Sequence, residues 1–298
     1  MYKSNINLNL YKTFYDVAKY GNISKAALNS YTSQSAISKA IKKLEEELNT
    51  KLFYRNLNGV ILTDKGKELL YFVEKSYSNL VIAERAMLET ENLERGKLSI
   101  GMPSNIGSFF LFDKIIEFHK KFPKIEISII TGSTSTLINL LDSHKVDFVI
   151  DTSPIENVDN GVTITKLDTV DYCFVSKNKK SDIKELKDLE KEALILPISD
   201  TANRNDLDKL FNKYDVNIEN VINIHTSEMI ISAIKKDLGI GYVIYNLVED
   251  DIKKEELYIV NVKEKLPNVD INIVYNEHFL TTAPKKFIKN YIEYQLEI

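Results

Sequence analysis

The sequence predicts a small helical domain with a short β-hairpin, then one long helix, then a two-lobed α/β domain. Apolar residues recur at helical spacing through residues 7–47, and two short apolar runs around an Asn-Gly pair follow them. A second helical pattern covers residues 64–93. From residue 97 onwards, strand-like runs alternate with amphipathic segments, which is typical of a parallel sheet covered by helices.

The composition is that of an ordinary globular protein. The chain has 298 residues, of which 44% are hydrophobic and 28% are charged, and this length favours two domains. No apolar run approaches the roughly 20 residues that span a bilayer, and the first residues lack the apolar core of a signal peptide. We therefore expect a cytoplasmic protein with no membrane partner. The single cysteine, Cys173, excludes an internal disulfide.

Charge is distributed unevenly along the chain. The net charge is −4, but residues 1–66 carry ten Lys and Arg against five Asp and Glu. A basic end on an acidic body fits a nucleic-acid contact placed at that end. Chance fluctuation of composition is the alternative explanation.

Three helices are predicted before residue 48. The first is Asn7–Tyr20 with Asn7 as its N-cap, and the second is Ser24–Asn29 with Ser24 as its N-cap. The third, Thr32–Glu47, has one apolar stripe that must be buried. That stripe consists of Ile37, Ile41, Leu44 and Leu48.

The opposite face of the third helix is polar and positive. It carries Ser35, Lys39 and Lys42, with Ser38 at its edge, and no carboxylate before Glu46. A merely solvated face usually mixes signs, whereas this one suits phosphate at a helix N-terminus. Gln34, at the start of the helix, can pair with adenine in the major groove.

A β-hairpin is predicted directly after this helix. Its strands are Lys51–Arg55 and Val60–Thr63, with Asn58 and Gly59 between them. A hairpin in this position is a wing, and Arg55 is then expected to contact a DNA phosphate.

One ordered motif runs through residues 24–66. It consists of Ser24, Ala26, Ala27, Ser33, Gln34, Ala36, Ile37, Ser38, Ile41, Leu44, Glu45, Leu48, Leu52, Phe53, Arg55, Leu62, Thr63 and Gly66. The motif resembles the winged helix-turn-helix domain of LysR-type transcriptional regulators. Ser30, Asn49 and Asn58 depart from it, because the family usually has Leu, Gly and a second wing Arg there. The residues expected to contact DNA are Ser24, Ser33, Gln34, Ser35, Ser38, Lys39, Lys42 and Arg55.

The long helix is predicted from Asp64 to Leu93, with Thr63 as its cap. Its apolar seam consists of Leu70, Val73, Tyr77, Leu80 and Met87. The seam favours pairing with a second copy, since a dimer can place two recognition helices on two half-sites. The resemblance implies the same use of this helix, in a dimer or a tetramer. The alternative is that the seam packs on its own domain.

The remainder of the chain alternates strands and helices. The predicted strands are 98–102, 125–131, 146–150, 162–176, 193–196, 221–224, 240–244, 257–262 and 269–275, and the predicted helices are 104–121, 133–143, 206–214, 227–236 and 284–296. Four short motifs here also resemble the family: Ile100-Gly101, Gly132–Leu141, Val146–Ile150 and Gly239–Tyr242. The resemblance implies a type 2 periplasmic-binding-like effector domain.

The predicted organisation therefore has three parts. Residues 1–66 form the winged helix-turn-helix DNA-binding domain, residues 67–95 the linker and dimerisation helix, and residues 96–298 the effector-binding domain. Within the last part, lobe 1 covers about 96–165 and 267–298, and lobe 2 covers about 166–266.

Polar residues follow the predicted strands where ligands bind to open α/β sheets. The expected effector-binding residues are Ser104, Asn105, Ser133, Thr134, Thr152, Thr201, Arg204 and Thr226. Each of them is alternatively an ordinary helix cap. The resemblance implies a small effector, often an anion held by backbone N–H groups and hydroxyls. Arg204 could neutralise a carboxylate or could equally be a surface cation. Asp151 and Asp200 disfavour a highly charged anion, so the expected effector is an amino acid, a neutral polar molecule or a carboxylate-like molecule.

Catalysis finds no support in the sequence. The four histidines are scattered, no spacing suits a metal ion, no phosphate loop occurs, and Cys173 lies in an apolar strand. We expect no catalytic residue, no metal ligand and no cofactor. The predicted function is a sequence-specific transcriptional regulator whose partners are double-stranded DNA, a small effector, further copies of itself and RNA polymerase. Two alternatives stay open: an enzyme on the two-lobed scaffold, and an architectural DNA-binding protein without a ligand.

Overall fold

Two compact units make up the chain, residues 1–84 and residues 85–298. The computed structural model describes residues 6–56, 59–89, 93, 95–152, 155, 161–199 and 201–292. Each unit has a hydrophobic core of its own.

The N-terminal unit contains three short helices, a hairpin and most of a long helix. Their bounds are α1 Leu8–Tyr20, α2 Ile23–Asn29, α3 Gln34–Glu47, β1 Phe53–Asn56, β2 Gly59–Leu62 and α4 Asp64–Leu88. Phe14, Val17 and Leu44 are fully buried at the centre of the core. β1 and β2 pair antiparallel, so the predicted wing is present, although Asn58 lies outside the described residues.

The N-cap predicted from the sequence is confirmed for α1 but not for α2. Asn7 accepts a hydrogen bond from the amide of Asn9 at 2.8 Å, as predicted. The prediction of Ser24 as the N-cap of α2 is wrong, because Asn22 occupies that position. The Asn22 side chain accepts from the amides of Ser24 at 2.9 Å and Lys25 at 3.1 Å. Ser24 therefore lies in the first turn of the helix.

The long helix α4 is capped as predicted but ends early. The Thr63 hydroxyl accepts from the amide of Gly66 at 2.9 Å. The helix ends at Leu88 rather than Leu93, and the φ of 53° at Leu93 is incompatible with a right-handed helix.

The predicted dimer seam on α4 is partly occupied by its own unit. Val73 is buried in the N-terminal core, so its assignment to a partner surface is wrong. Leu70 packs against the same core, and the ring of Tyr77 stacks on that of Tyr15 with centroids 5.6 Å apart. Both contacts favour the alternative, in which the seam packs on its own domain. Leu80 and Met87 are exposed, at 57% and 83%.

Within the described residues, the C-terminal unit contains one nine-stranded sheet. The strands are β3 Gly96–Met102, β4 Ile125–Thr131, β5 Phe148–Thr152, β6 Thr163–Ser176, β7 Leu194–Pro197, β8 Val221–Ile224, β9 Ile240–Ile244, β10 Tyr258–Val260 and β11 Asn268–Tyr275. Their order is β4-β3-β5-β11-β6-β9-β7-β8, and β10 also pairs with β6. The outer strands at both ends are parallel, whereas β11 and β6 pair antiparallel to their neighbours.

Helices cover this sheet. Their bounds are α5 Ser104–Ile106, α6 Phe112–Lys121, α7 Thr134–Asp142, α8 Ala202–Lys213, α9 Ser227–Lys235, α10 Glu249–Lys253 and α11 Thr282–Phe287. A short π-helix over Gly107–Leu111 joins α5 to α6, and a second π-helix over Ile288–Ile292 follows α11. The closing helix predicted to reach residue 296 is therefore described only as far as residue 292.

The strand β6 belongs to both halves of the sheet. Its residues up to Asp171 pair with β11, and from Tyr172 onwards they pair with β9. The first half contains β3, β4, β5 and β11, and the second half contains β7, β8, β9 and β10. The register between β6 and β11 shifts between Ile271 and Asn272, which leaves Leu167 as a bulge.

Candidate functional site

The polar face of α3 is exposed while its other face is buried. Gln34, Ser35 and Lys39 are exposed, and Ser38 is half-buried at the edge. The Ser33 hydroxyl caps the helix by accepting from the amide of Ala36 at 3.1 Å. The buried face consists of Ile37, Ile41 and Leu44. The predicted DNA-contacting residues of this helix therefore share one accessible surface at a helix N-terminus.

Three further residues predicted to contact DNA are also exposed, each on a different element of the unit. Lys42 is exposed and lies 3.5 Å from the Glu46 carboxylate, an exposed pair of little energetic weight. Ser24 is exposed on α2, and Arg55 is exposed on β1, where it pairs with Val60 across the hairpin.

Glu45 joins α3 to the hairpin, a role that the sequence analysis missed. Its carboxylate is buried and accepts from the amides of Leu52 at 2.9 Å and Phe53 at 3.4 Å. The ammonium group of Lys51 donates to its other oxygen at 2.6 Å. Burial raises the pKa of Glu45, but Lys51 and the two amides together hold it below its usual value. The sequence feature that could have indicated this role is the position of Glu45 directly after Leu44, a residue of the apolar stripe of α3.

We expect Glu45→Ala to lower the free energy of unfolding of the N-terminal unit by about 1–3 kcal/mol, because two buried amides lose their acceptor. Urea denaturation of the full chain at neutral pH measures this change. Glu46→Ala, at an exposed neighbour, is the matched control and should change stability by less than about 0.5 kcal/mol. Because the folded-state pKa is depressed, the Glu45 contribution should disappear as pH falls through that pKa. Equal losses in both variants would contradict the role of Glu45.

In the C-terminal unit, a buried carboxyl group lies at the end of β5. Asp151 is 1% exposed. Its Oδ1 atom accepts from the amide of Thr152 at 2.7 Å, and the Thr134 side chain hydrogen-bonds the same carboxyl group. Burial raises the pKa of Asp151 to about 6, although both threonines act in the opposite direction. The Oδ2 atom has no hydrogen-bond partner among the described residues.

One tyrosine of the second half, Tyr172, lies near enough to this carboxyl group to feel its charge, and a second, Tyr242, stacks on Tyr172. The rings of Tyr172 and Tyr242 stack with centroids 4.8 Å apart, and the Tyr172 hydroxyl hydrogen-bonds Asn203. Burial raises the pKa of Tyr172, and the nearby Asp151 charge adds to that effect. The Tyr242 hydroxyl is buried without a hydrogen-bond partner in the described part of the chain. We call these residues the Asp151 cluster: Thr134, Asp151, Thr152, Tyr172, Asn203 and Tyr242.

Only two of the predicted effector-binding residues, Thr134 and Thr152, lie in the Asp151 cluster. Ser133 caps α7 and Thr226 caps α9, whereas the Thr201 hydroxyl donates to the carbonyl of Ile198 at 3.0 Å. Ser104 and Asn105 begin α5, and no contact described here joins them to the cluster. The hydroxyls of Ser133 and Thr226 therefore act as helix caps, which was the alternative for them, and the Thr201 hydroxyl stabilises a turn.

Arg204 is not an available cation. Its Nε atom donates to Asp208 at 2.8 Å, and its Nη1 atom donates to the Pro197 carbonyl at 2.8 Å and the Asn223 side chain at 2.6 Å. The prediction that it neutralises a ligand carboxylate is therefore wrong. The helix α8 starts at Ala202 rather than Asp206, so Arg204 lies in its first turn beside β7 and β8. Asp200 lies outside the described residues.

Tyr172, Asn203 and Tyr242 were missed by sequence reasoning. The sequence shows Tyr172 and Tyr242 inside apolar strands, where a tyrosine is most simply a core residue. Only the pairing of β6 with β9 brings the two rings together, and this pairing joins residues about seventy positions apart.

A buried ion pair fixes the end of α4 within the C-terminal unit. The Nη2 atom of Arg85 donates to Asp147 at 2.6 Å and to the Thr281 hydroxyl at 2.7 Å. The other Asp147 oxygen accepts from the amide of Ser99 at 2.6 Å, and Thr281 donates to Glu89 at 3.0 Å. This network connects α4 to β3 and to the start of α11.

An open groove of about 760 Å³ lies elsewhere on the second half, beside β10. Two of the lysines along it are neutralised by neighbours, Lys180 by Glu192 at 2.8 Å and Lys263 by Glu185. None of the predicted effector-binding residues lines this groove.

The described residues contain no group of three His, Cys, Asp or Glu side chains placed to hold a metal ion. Cys173 is buried, and burial raises the pKa of its thiol to about 12. Among the helices described, none combines the length and apolar character needed to cross a bilayer.

Comparisons with known proteins cover nearly the whole chain. Residues 8–67 match the model of the bacterial regulatory helix-turn-helix protein, lysR family, and residues 91–294 match that of the LysR substrate binding domain. The HTH-type transcriptional regulator YofA of Bacillus velezensis is 27% identical over 274 residues, which are 91% of this chain and 93% of YofA.

Solved structures share the fold. A full-length OxyR variant from Pseudomonas aeruginosa has a TM-score of 0.70 at 16% identity and covers 99% of this chain and 96% of its own. Full-length CbnR in complex with its target DNA has a TM-score of 0.54 at 16% identity and covers 97% of this chain and 99% of its own. At these identities, the similarity to solved structures shows the fold alone.

Proposed function

This chain belongs to the LysR family of transcriptional regulators, and from that premise we propose that α3 reads its operator while the Asp151 cluster binds its small-molecule effector. The observation that carries the DNA-binding half of the proposal is the accessible face of α3, which presents Gln34, Ser35 and Lys39. The opposite face of that helix is fixed in the core, so these side chains are held on a rigid element. We place this activity in the cytoplasm.

Position and charge support α3 as the recognition helix. Its N-terminus carries the partial positive charge of the helix dipole, and the hydroxyls of Ser33 and Ser35 lie there. Phosphate oxygens are favoured at such an end, and a glutamine at the first helical position can donate to and accept from an adenine edge. We assign Gln34 to base recognition and Lys39, Lys42 and Arg55 to phosphate contacts.

We expect Gln34→Ala to reduce discrimination between the operator and a mismatched site by about 1–3 kcal/mol, or roughly 5- to 150-fold. Arg55→Ala should instead weaken binding to all sequences alike and reduce the salt dependence by about one phosphate contact. Gel-shift titration at several salt concentrations, using the DNA upstream of the chain's own coding region, separates the two effects. Lys12→Ala, an exposed cation on α1, is the control. Unchanged binding in both test variants would contradict the assignment of α3 and the wing.

We propose that the exposed apolar residues of α4 pair with a second copy of the chain. Leu80 and Met87 were predicted for this surface, and the neighbouring Val81 and Leu88 are exposed as well, at 51% and 55%. Such residues rarely stay in water on a helix without a partner. Two copies would present two α3 helices to two half-sites. We also propose RNA polymerase as a further partner, since a bound regulator acts on the enzyme that transcribes the adjacent gene.

The effector half of the proposal rests on unsatisfied polar atoms. Asp151 Oδ2 and the Tyr242 hydroxyl are buried without partners among the described residues, and burying such groups unpaired costs free energy. A polar ligand that bonds them would favour one arrangement of the two halves over another, which is what regulation requires. The architectural alternative without a ligand leaves both atoms unexplained.

A further inference from the structure

The chemistry of the Asp151 cluster restricts the class of effector, and this inference rests on the proposed function. Two atoms of the cluster have no hydrogen-bond partner among the residues that the structure describes, and they come from opposite halves of the unit: Oδ2 of Asp151 from β5 and the hydroxyl of Tyr242 from β9. Tyr172 connects them, because its ring stacks on Tyr242 and its pKa responds to the Asp151 charge. A ligand that bonded both atoms would therefore contact both halves of the unit.

The free oxygen of Asp151 requires a donor. Burial raises the pKa of Asp151 only to about 6, so the carboxyl group is ionised at neutral pH and can accept but not donate. None of the residues of the cluster is cationic. Arg204, the predicted cation nearest in sequence to Asn203, already donates through Nε and Nη1 to Asp208, Pro197 and Asn223. A buried carboxylate without a counter-charge is costly, and a cationic donor removes that cost.

A simple carboxylate fits this cluster poorly. Its negative charge would lie beside Asp151, and like charges at close range are mutually destabilising. The negative charge of a second aspartate, Asp206 on α8, also raises the pKa of both Tyr172 and Tyr242. Both halves of the unit therefore place a negative charge near the cluster, Asp151 in the first half and Asp206 in the second.

We propose that the effector carries a primary amine or similar cationic N–H group, which donates to Oδ2 of Asp151 while a polar atom of the same molecule bonds the Tyr242 hydroxyl. This makes the effector an amine or an amino compound rather than a simple carboxylate. The ammonium group supplies the counter-charge that Asp151 lacks, and Tyr242 supplies the contact to the second half.

Matched pairs of small probes test the class without knowledge of the full effector. The pairs are ethylammonium and acetate, ethanolamine and glycolate, and putrescine and succinate, each added to the full chain at pH 7.5 and constant ionic strength. Binding is measured by thermal shift and by ligand-observed NMR. We expect the amine of each pair to bind and stabilise the chain, and its carboxylate counterpart to have no effect.

Two variants locate the binding. Asp151→Asn should weaken amine binding about tenfold or more, since a charge-assisted hydrogen bond is lost. Tyr242→Phe should weaken ethanolamine binding by a smaller factor without lowering the melting temperature of the free protein, because no described residue hydrogen-bonds its hydroxyl. Asp182→Asn, at an exposed aspartate of the same unit, is the control and should bind as the unaltered chain does.

Three results would overturn the proposal: no binding of any amine, stronger binding of a carboxylate, or equal amine binding in Asp151→Asn and Asp182→Asn. The same preparations are titrated with operator DNA. A chain that binds operator but no amine would refute the effector class alone, whereas a chain that binds amines but no operator would refute the proposed function of α3.

Discussion

Replacing Arg85 with methionine is expected to lower the free energy of unfolding of the C-terminal unit by about 3–5 kcal/mol. The aliphatic part of the side chain is kept, but Asp147 loses its partner at 2.6 Å while only 7% of its side chain is exposed. Thr281 loses a donor at the same time. An uncompensated buried charge is among the largest single effects that a substitution produces.

Urea denaturation of the full chain, monitored by tyrosine fluorescence and circular dichroism, measures this loss. Arg95→Met is the matched control, because Arg95 is exposed and, among the described residues, donates to the carbonyl of Leu88, a neutral acceptor, at 2.8 Å. The double variant Arg85→Met with Asp147→Asn should recover part of the stability, since the Asp147 charge is then removed, while the buried Glu89 carboxylate, 3.4 Å from Arg85 Nε, keeps its charge. A loss no larger than that of Arg95→Met would show that the ion pair contributes little.

Gly66→Ala should destabilise the N-terminal unit by about 1–3 kcal/mol or more and abolish operator binding. At an exposed position inside a helix, Gly→Ala stabilises the folded state by about 1 kcal/mol. A loss of stability at Gly66 would therefore indicate a steric overlap that outweighs the better helix propensity of alanine. Gly66 is buried in the first turn of α4, where an added β-carbon would overlap the carbonyl oxygen of Leu52 and lie 3.0 Å from Leu62 Cδ2. Because both neighbours flank the hairpin, relief of the overlap must move the wing.

The measurement for Gly66→Ala combines urea denaturation with gel shift on the operator. Ser76→Ala, an exposed position on the same helix, serves as the control and should leave both quantities nearly unchanged. Increased stability of Gly66→Ala together with unchanged operator binding would show that α4 can shift without disturbing the hairpin.

Local patterns predicted most of the fold. The bounds of β4, β8 and β9 agree with the sequence prediction to the residue, because each is a short apolar run between turn-forming residues. The apolar stripe of α3 is buried as its spacing indicated. Errors arose where two caps compete within three residues, as at Asn22 and Ser24, since both side chains can accept the same amide hydrogen bonds.

The candidate effector site was only partly predictable. Thr134 and Thr152 follow from the rule that ligands lie at the carboxyl ends of strands. Tyr242 does not, because an apolar strand gives no indication that a hydroxyl will lack a partner. Arg204 was misassigned for a related reason: its acceptors include Asn223, nineteen positions away, and the contact exists only once β8 lies beside β7.

The continuity of β6 has a mechanical consequence for the C-terminal unit. One strand of fourteen residues is hydrogen-bonded to β11 in one half and to β9 in the other. The two halves are therefore joined through a continuous strand whose ladder changes partner between Asp171 and Tyr172. Leu167 lies where the ladder already skips a residue, so curvature can change there at the least cost in hydrogen bonds. A ligand that favours one arrangement of the two halves is accordingly expected to act through a change in the bend of this strand.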